Sequence, residues 1–273
     1  SVYQRLLALD EDEVANTAKK YLAEHSLAEL FDDVLIPAMQ FANQDHQHGK
    51  LDDARWQYVH DALRELIVDL QEEAALVAAK AQATSQETAT PATPAENADE
   101  ALAEAALVEK PAGKIVCLAA RDISDELAGQ MLAVLLLAEG YTVEVLAARE
   151  TPGRDAAKEP ATRESVAEQP RLIWISALPP LADARARELC RLWAQRHPRA
   201  VINAGLWRET LHARSTALLK RAGAHELATT LREAVTFTNQ MLKPTKSEQP
   251  AIEAVNPTTL SDSEAAKVPT LAG

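Results

Sequence analysis

Residues 114–146 read KIVCLAARDISDELAGQMLAVLLLAEGYTVEVL. A short run rich in Ile and Val at 115–119 gives way to a polar turn at 121–125, an amphipathic stretch through Ala138, and a second β-branched run at 142–146. This succession of a two-residue period, a helical period and a two-residue period is how a βαβ unit reads. Residues 171–207, RLIWISALPPLADARARELCRLWAQRHPRAVINAGLW, repeat it. In an open parallel sheet, ligands bind outside the carboxyl ends of the strands. The loops at 120–125, 176–180 and 203–207 are therefore where a site is expected.

Working outward, the same reading places further strands at 172–176 and 201–204 and a fifth at 225–228, making residues 113–242 a five-stranded α/β domain with helices in the gaps. Residues 150–170, with Pro152, Gly153 and Pro160, are polar and poorly periodic, and read as a short, loose crossover. Residues 1–80 read as a bundle of four helices. Asp10 with Glu13, and Ser26 with Glu29, have the spacing of capping boxes. Pro37 must kink or divide the third helix because it has no N–H to donate, and Gly49 stops that helix. From Asp52 onward, Trp56, Val59, His60, Leu63, Leu66, Ile67 and Leu70 fall on one helical face and mark a packing surface. Residues 81–112 shift to Ala, Thr, Glu and Pro and read as a flexible linker, and residues 243–273 as a disordered tail.

Composition narrows the function. The chain has 273 residues, 47% of them hydrophobic but only 4% aromatic, with a net charge of -13. So acidic a chain lacks the basic surface that nucleic acid or an anionic membrane would require. Cys117 and Cys190 sit in different elements without metal-ligand spacing and read as buried, reduced thiols of a cytoplasmic protein. The longest apolar run, 131–138, is far short of the roughly 20 residues needed to span a bilayer. The absence of an initiator Met at Ser1 suggests a piece of a longer protein.

Bundle, linker and α/β domain in this order resemble the cobalamin-binding module of methionine synthases and light-sensing regulators. The likeness extends to DVLIPAM at 33–39 followed by a Gly-Lys-Leu turn at Gly49, to Ser176-Ala-Leu178 after the third strand, and to Ala204-Gly205, where the family's Gly-Gly pair lets the cofactor's nucleotide tail pass. The family's D-x-H-x-x-G, whose His ligates cobalt, is replaced by 123–128, with Asp125 at the His position and Ala128 at the Gly position. A carboxylate is a poor substitute for imidazole on cobalt, so a protein-ligated cobalamin is not expected. The cap's Trp and Glu-His pair are not reproduced around 46–57. His46 and His48, two apart, do not face one another and read as helix-end residues. Residues 6–39, ISALPP at 175–180 and NAGLW at 203–207 look most similar to the cytoplasmic C-terminal extension of bacterial autoinducer-2 exporter family (permease-like) transporters. That resemblance implies a membrane segment upstream of Ser1 and a location at the cytoplasmic face of the inner membrane.

The candidate ligand-binding residues are Arg121, Asp122, Ser124, Asp125, Ser176, Leu178, Gly205 and Trp207. Asp122 with Asp125 also reads as a helix cap, with Arg121 left free to meet an anion. Ser176, with Pro179 and Pro180, reads either as the hydroxyl of a pocket or as part of a rigid turn. Trp207 reads as a stacking surface for a planar ligand or as interdomain packing. No hydrolase elbow, phosphate-cradling loop or phosphorylatable Asp at the end of the third strand is present. Two readings remain. One is a non-catalytic sensory or regulatory module attached to a transporter, partnered by that membrane segment, a small-molecule ligand or a second copy. The other is a sensor or carrier holding cobalamin without a protein ligand.

Overall fold

Five strands form where the sequence marks them: β1 (Lys114–Ala119), β2 (Thr142–Leu146), β3 (Leu172–Ala177), β4 (Val201–Leu206) and the short β5 (Leu227–Ala228). They pair in the order β2-β1-β3-β4-β5, all parallel, which is the flavodoxin-like winding. The chain turns back between β1 and β3, so the crevice at their carboxyl ends is the switch point where such sheets hold ligands. Register sets Ala119 beside Ser176 and Ser176 beside Gly205, placing the ends of three strands in one row. The structure is a computed structural model that describes residues 2–8, 11–87, 114–148, 169–179 and 182–242, with side chains left out of the description at residues 11, 74–87 and 182. The expected loose crossover at 150–170 lies almost entirely outside the described residues, as do the tail and Asp10.

Alternate strand residues feed two cores. Val116, Ile173, Ile175, Ile202, Ala204 and Leu206 pack under α7 (Ala182–Arg196) and α8 (Ala213–Arg221). Ile115, Cys117, Leu172 and Trp174 face α6 (Ile123–Ala138) and α9 (Leu231–Leu242). The two thiols lie on opposite faces, and burial pushes each up to about 12, so both stay protonated. Helix α6 is apolar nearly all round because it is covered twice, by the sheet below and by the helical N-terminal region above.

That N-terminal region comprises α1 (Val2–Leu7), α2 (Glu11–Leu22), α3 (Leu27–Leu30), α4 (Ile36–Gln47) and α5 (Asp53–Glu87). Ser26 and Glu29 form the expected reciprocal cap at the start of α3. Pro37 divides its helix through a π-helical turn, Phe31–Leu35, in which the Ile36 N–H reaches back to Phe31 O. The helical path runs on into α4 through right-handed Leu35 and Ile36, and the wider turn is where the chain accommodates the N–H that Pro37 lacks. Gly49, at φ +69°, ends that helix. Val59, His60, Leu63, Leu66, Ile67 and Leu70 of α5 are buried as one face. Helix α5 continues to Glu87, into the stretch read as linker, whose remainder, 88–112, lies outside the described residues. Helices and sheet share one continuous core within the unit Ser1–Lys243.

Candidate functional site

At the end of β1 the chain leaves the sheet through Ala120 and Arg121 and enters α6. Asp122 is the N-cap: its Oδ1 accepts from the N–H groups of Ser124 and Asp125 at 3.1 and 3.3 Å. Asp125, by contrast, turns inward, and its side chain is fully buried. Its Oδ1 accepts from Leu178 N at 2.6 Å and its Oδ2 from Arg121 N at 2.9 Å, tying the loop after β3 to the loop after β1. Burial, with a smaller contribution from the neighbouring Asp122, raises its pKa to about 7, against the pull of the Leu178 and Arg121 donors. Arg121 is not the free cation that the sequence suggests. Its guanidinium donates to Leu178 O at 3.0 Å and lies 3.5 Å from both Asp122 and Asp125.

The loop after β3 is locked from the other side. Ser176 Oγ donates to Asp125 O at 2.7 Å and accepts from Trp207 Nε1 at 2.8 Å. Trp207 is fully buried, its N–H bonded to Ala177 O and its carbonyl accepting from Gln40 of α4 at 3.2 Å. The indole folds back along β4 and lies on Gly205. A Cβ at that position would come within 2.8 Å of Cε2 and closer still to the two carbons beyond it, so no side chain fits beneath the ring. Of the two readings of Trp207, packing between the bundle and the sheet is the one the geometry takes. Leu178 is also fully buried, which leaves Asp122 and Arg121 as the only partly exposed members of the candidate set.

Ser124 leads to residues that sequence reasoning did not place in the site. Its Oγ lies 2.7 Å from His60 Nε2 and 3.0 Å from Asn43 Oδ1, which also accepts from Trp56 Nε1 at 2.9 Å. His60 Nδ1, 2.7 Å from Trp56 O, must carry a hydrogen, because a carbonyl only accepts, while the single hydrogen of the Ser124 hydroxyl can serve His60 Nε2 or Asn43 Oδ1 but not both at once. Burial lowers the His60 pKa, against the bond to the Trp56 carbonyl and the nearby Asp122 and Asp61, which raise it. A His on an otherwise apolar helix face was the available signal, whereas Asn43 carried none.

At the seam above this network, Gln40, Phe41, Gln44, Gln47, His48 and Pro179 line an open groove of about 410 Å³. His48 caps α4, and His46 pairs with Asp53 at 2.7 Å and stacks on Trp56, as helix-end residues do. Among the described residues, no three His, Cys, Asp or Glu side chains cluster as a metal site. Nor is any helix there long and apolar enough to cross a membrane. Every candidate side chain at the row of strand ends is thus engaged by the chain itself, an arrangement that holds the two loops in position.

No family model matches the sequence, and no curated protein matches it. Among solved structures, the monomethylamine corrinoid protein of Methanosarcina barkeri is similar at 13% identity and a TM-score of 0.55, over 88% of this chain and 96% of that one. A cobalamin-binding protein from Desulfitobacterium hafniense DCB-2 matches at 14% identity and a TM-score of 0.36, covering 88% of this chain and 97% of its own. The methanol:cobalamin methyltransferase complex of Methanosarcina barkeri matches at 17% identity and 0.35, over 89% of this chain and 79% of that one. The first of these likenesses shows the fold: the chain has the architecture of a helical cap on a flavodoxin-like, cobalamin-binding-type α/β domain.

Proposed function

We propose that this chain is a non-catalytic sensory or regulatory module of cobalamin-binding-type fold, and that it forms the cytoplasmic C-terminal part of a transporter resembling the autoinducer-2 exporter family. The observation that carries the non-catalytic reading is the closed network at the sheet's carboxyl edge. Asp125, Ser176 and Trp207 are buried and mutually bonded, and Ser124 is taken up by His60 and Asn43. A catalytic site needs a reactive group within reach of a substrate, and these groups reach only one another. What supports the transporter attachment is the segment likeness at 6–39, 175–180 and 203–207.

The second reading, a cobalamin carrier or sensor without a protein ligand, draws on the fold likeness to a corrinoid protein. The residues present do not fit that cofactor. The position that would face cobalt is a carboxylate with both oxygens committed to backbone donors, and the space over Gly205 is filled by the Trp207 indole.

The two readings part on substitution. Asp125→His combined with Ala128→Gly restores the family's motif at those positions but leaves Trp207 in place. The closed-site reading expects no cobalamin binding by this variant in a spectrophotometric titration. The carrier reading expects binding with a spectrum changed by imidazole ligation. The transporter attachment is tested by the coding sequence upstream of Ser1: an in-frame polytopic membrane segment supports it, and a start codon directly before Ser1 ends it.

A further inference from the structure

We infer that the outer faces of α7 and α8, on the side of the sheet away from the bundle, form a basic layer that docks on an anionic phospholipid surface. The inference goes beyond the closed-site reading and does not use the transporter attachment.

The chain's net charge of -13 suggests no such surface, because an average over the sequence hides how charge is divided. Residues 1–73 carry sixteen Asp and Glu against six Lys and Arg, whereas residues 182–221 carry nine Lys and Arg against three Asp and Glu. The fold sends the two excesses to opposite sides. The bundle lies over α6 on one face of the sheet, and α7 and α8 cover the other. With α6 and the sheet between them, the two layers are on the order of 20 Å apart. That exceeds the Debye length of about 8 Å at physiological ionic strength. The acidic bundle therefore does not cancel the basic layer.

Ala186, Leu189, Cys190 and Trp193 seat α7 on the sheet, and Leu219 and Ala222 seat α8. Arg191, Arg214, Lys220 and Arg221 are left exposed, as is Arg199 in the turn after α7. Among the described residues these four arginines form no ion pair, and Glu188 is already held by Arg185 at 2.8 Å. Helix stability accounts for part of the pattern: Lys220 and Arg221 lie in the last turn of α8, where cations suit the helix dipole. It does not account for Arg214, in the first turn of α8, where a cation opposes the dipole, nor for Arg191 in the body of α7. The residue types then select the partner. Eight of the nine basic residues are Arg, whose planar fork pairs with phosphate oxygens two bonds at a time. The large apolar side chains exposed among the described residues, Phe41, Val68 and Leu137, all lie on the bundle or α6. The layer thus has neither the apolar core of a protein–protein interface nor an exposed aromatic ring on which a base could stack. Phospholipid headgroups require neither, and a bilayer meets only the face turned toward it, leaving the acidic bundle in solvent.

Flotation of the unaltered chain with lipid vesicles tests this. At about 50 mM salt the chain should float with phosphatidylcholine vesicles containing about 30% phosphatidylglycerol, and not with vesicles of phosphatidylcholine alone. Raising the salt to about 0.5 M should release it. The combination of Arg191→Glu, Arg214→Glu and Arg221→Glu should weaken the binding by roughly 100-fold or more. Lys19→Glu, Lys20→Glu and Arg55→Glu make the same change in net charge at exposed bundle positions and should leave binding within about threefold of the parent. Should the arginine reversals fail to fold, Gln at the same three positions repeats the comparison. No flotation with the anionic vesicles, or an equal loss in both triple variants, would overturn the inference. So would tighter binding to a fluorescent DNA duplex at the same salt, which would assign the layer to nucleic acid. A salt-sensitive self-association in ultracentrifugation, abolished by the arginine reversals, would overturn it in favour of the bundle of a second copy. These outcomes are separate from the cobalamin titration and from the coding sequence upstream of Ser1.

Discussion

Asp125 is where the physical chemistry of this fold is most exposed to test. Its carboxyl is fully buried, and its pKa lies near 7, raised from an unfolded value of about 4. The folded protein therefore holds a proton that the unfolded chain releases. The stability this group contributes is fully present below about pH 4 and is lost as pH rises through about 7. His60 runs the other way: with its pKa lowered by burial, its contribution is present above about 6.5 and lost as pH falls. Asp125→Asn isolates the first effect. Between pH 5 and 8 the urea stability of the parent should fall relative to that of the variant by roughly 1–3 kcal/mol. Parallel pH profiles for the two proteins would contradict the assignment. The sequence shows Asp125 only as a residue near a helix start, equally readable as a cap. Its inward turn depends on Leu178 N, which lies in the loop after a different strand.

At the scale of elements, the strands and most helices are legible because each is a periodic run bounded by turn residues. Residues 115–119, 142–146, 172–176 and 201–204 all fall within observed strands, and the fifth run shrinks to Leu227–Ala228, which pairs with β4 at two positions. The π turn at Phe31–Leu35 was announced by Pro37 as a break but not in kind. What the pattern does not contain is the partner of Asp32, a residue of that turn. Its carboxylate accepts from Leu231 N at 2.7 Å, from Arg232 N at 3.2 Å and from Arg232 Nε at 3.0 Å, so a bundle residue caps α9 from some two hundred positions away. Local capping signals cannot report a cap supplied by another element. Asp32→Ala should cost about 2–3 kcal/mol, combining a lost cap with buried donors left unpaired. Amide hydrogen exchange should then quicken at the start of α9 before it does in β3; unchanged exchange at Leu231 and Arg232 would show that the cap does not hold that helix. Helix α6 should be the least tolerant element, because it is covered on both sides. Leu136→Ala, at a fully buried position, is expected to lose about 2–5 kcal/mol in chemical denaturation. A loss under about 1 kcal/mol would show that α6 lies outside the cooperative core.

At the scale of the molecule, bundle and sheet belong to one core, joined by α6, by the Asp32 cap and by the Ser124–His60–Asn43 bonds. The sequence divides them at a linker, and composition could not reveal that the apolar face of α5 packs on α6 as well as on its own bundle. The site shows the same division between what is legible and what is not. Its location follows from strand order, and its residues from their positions at strand ends, but its closure by Trp207 depends on a ring folding back over a glycine two positions earlier. A single-sequence pattern shows that both are present and not that they touch. The account therefore stands on one claim, that the carboxyl edge of this cobalamin-type fold is filled by the chain itself. Equilibrium titration of the unaltered chain with hydroxocobalamin and adenosylcobalamin, followed by visible absorption, tests it directly. The account expects no saturable binding and no spectral change; saturable binding with a shifted spectrum would contradict it and make the chain a cobalamin-binding module.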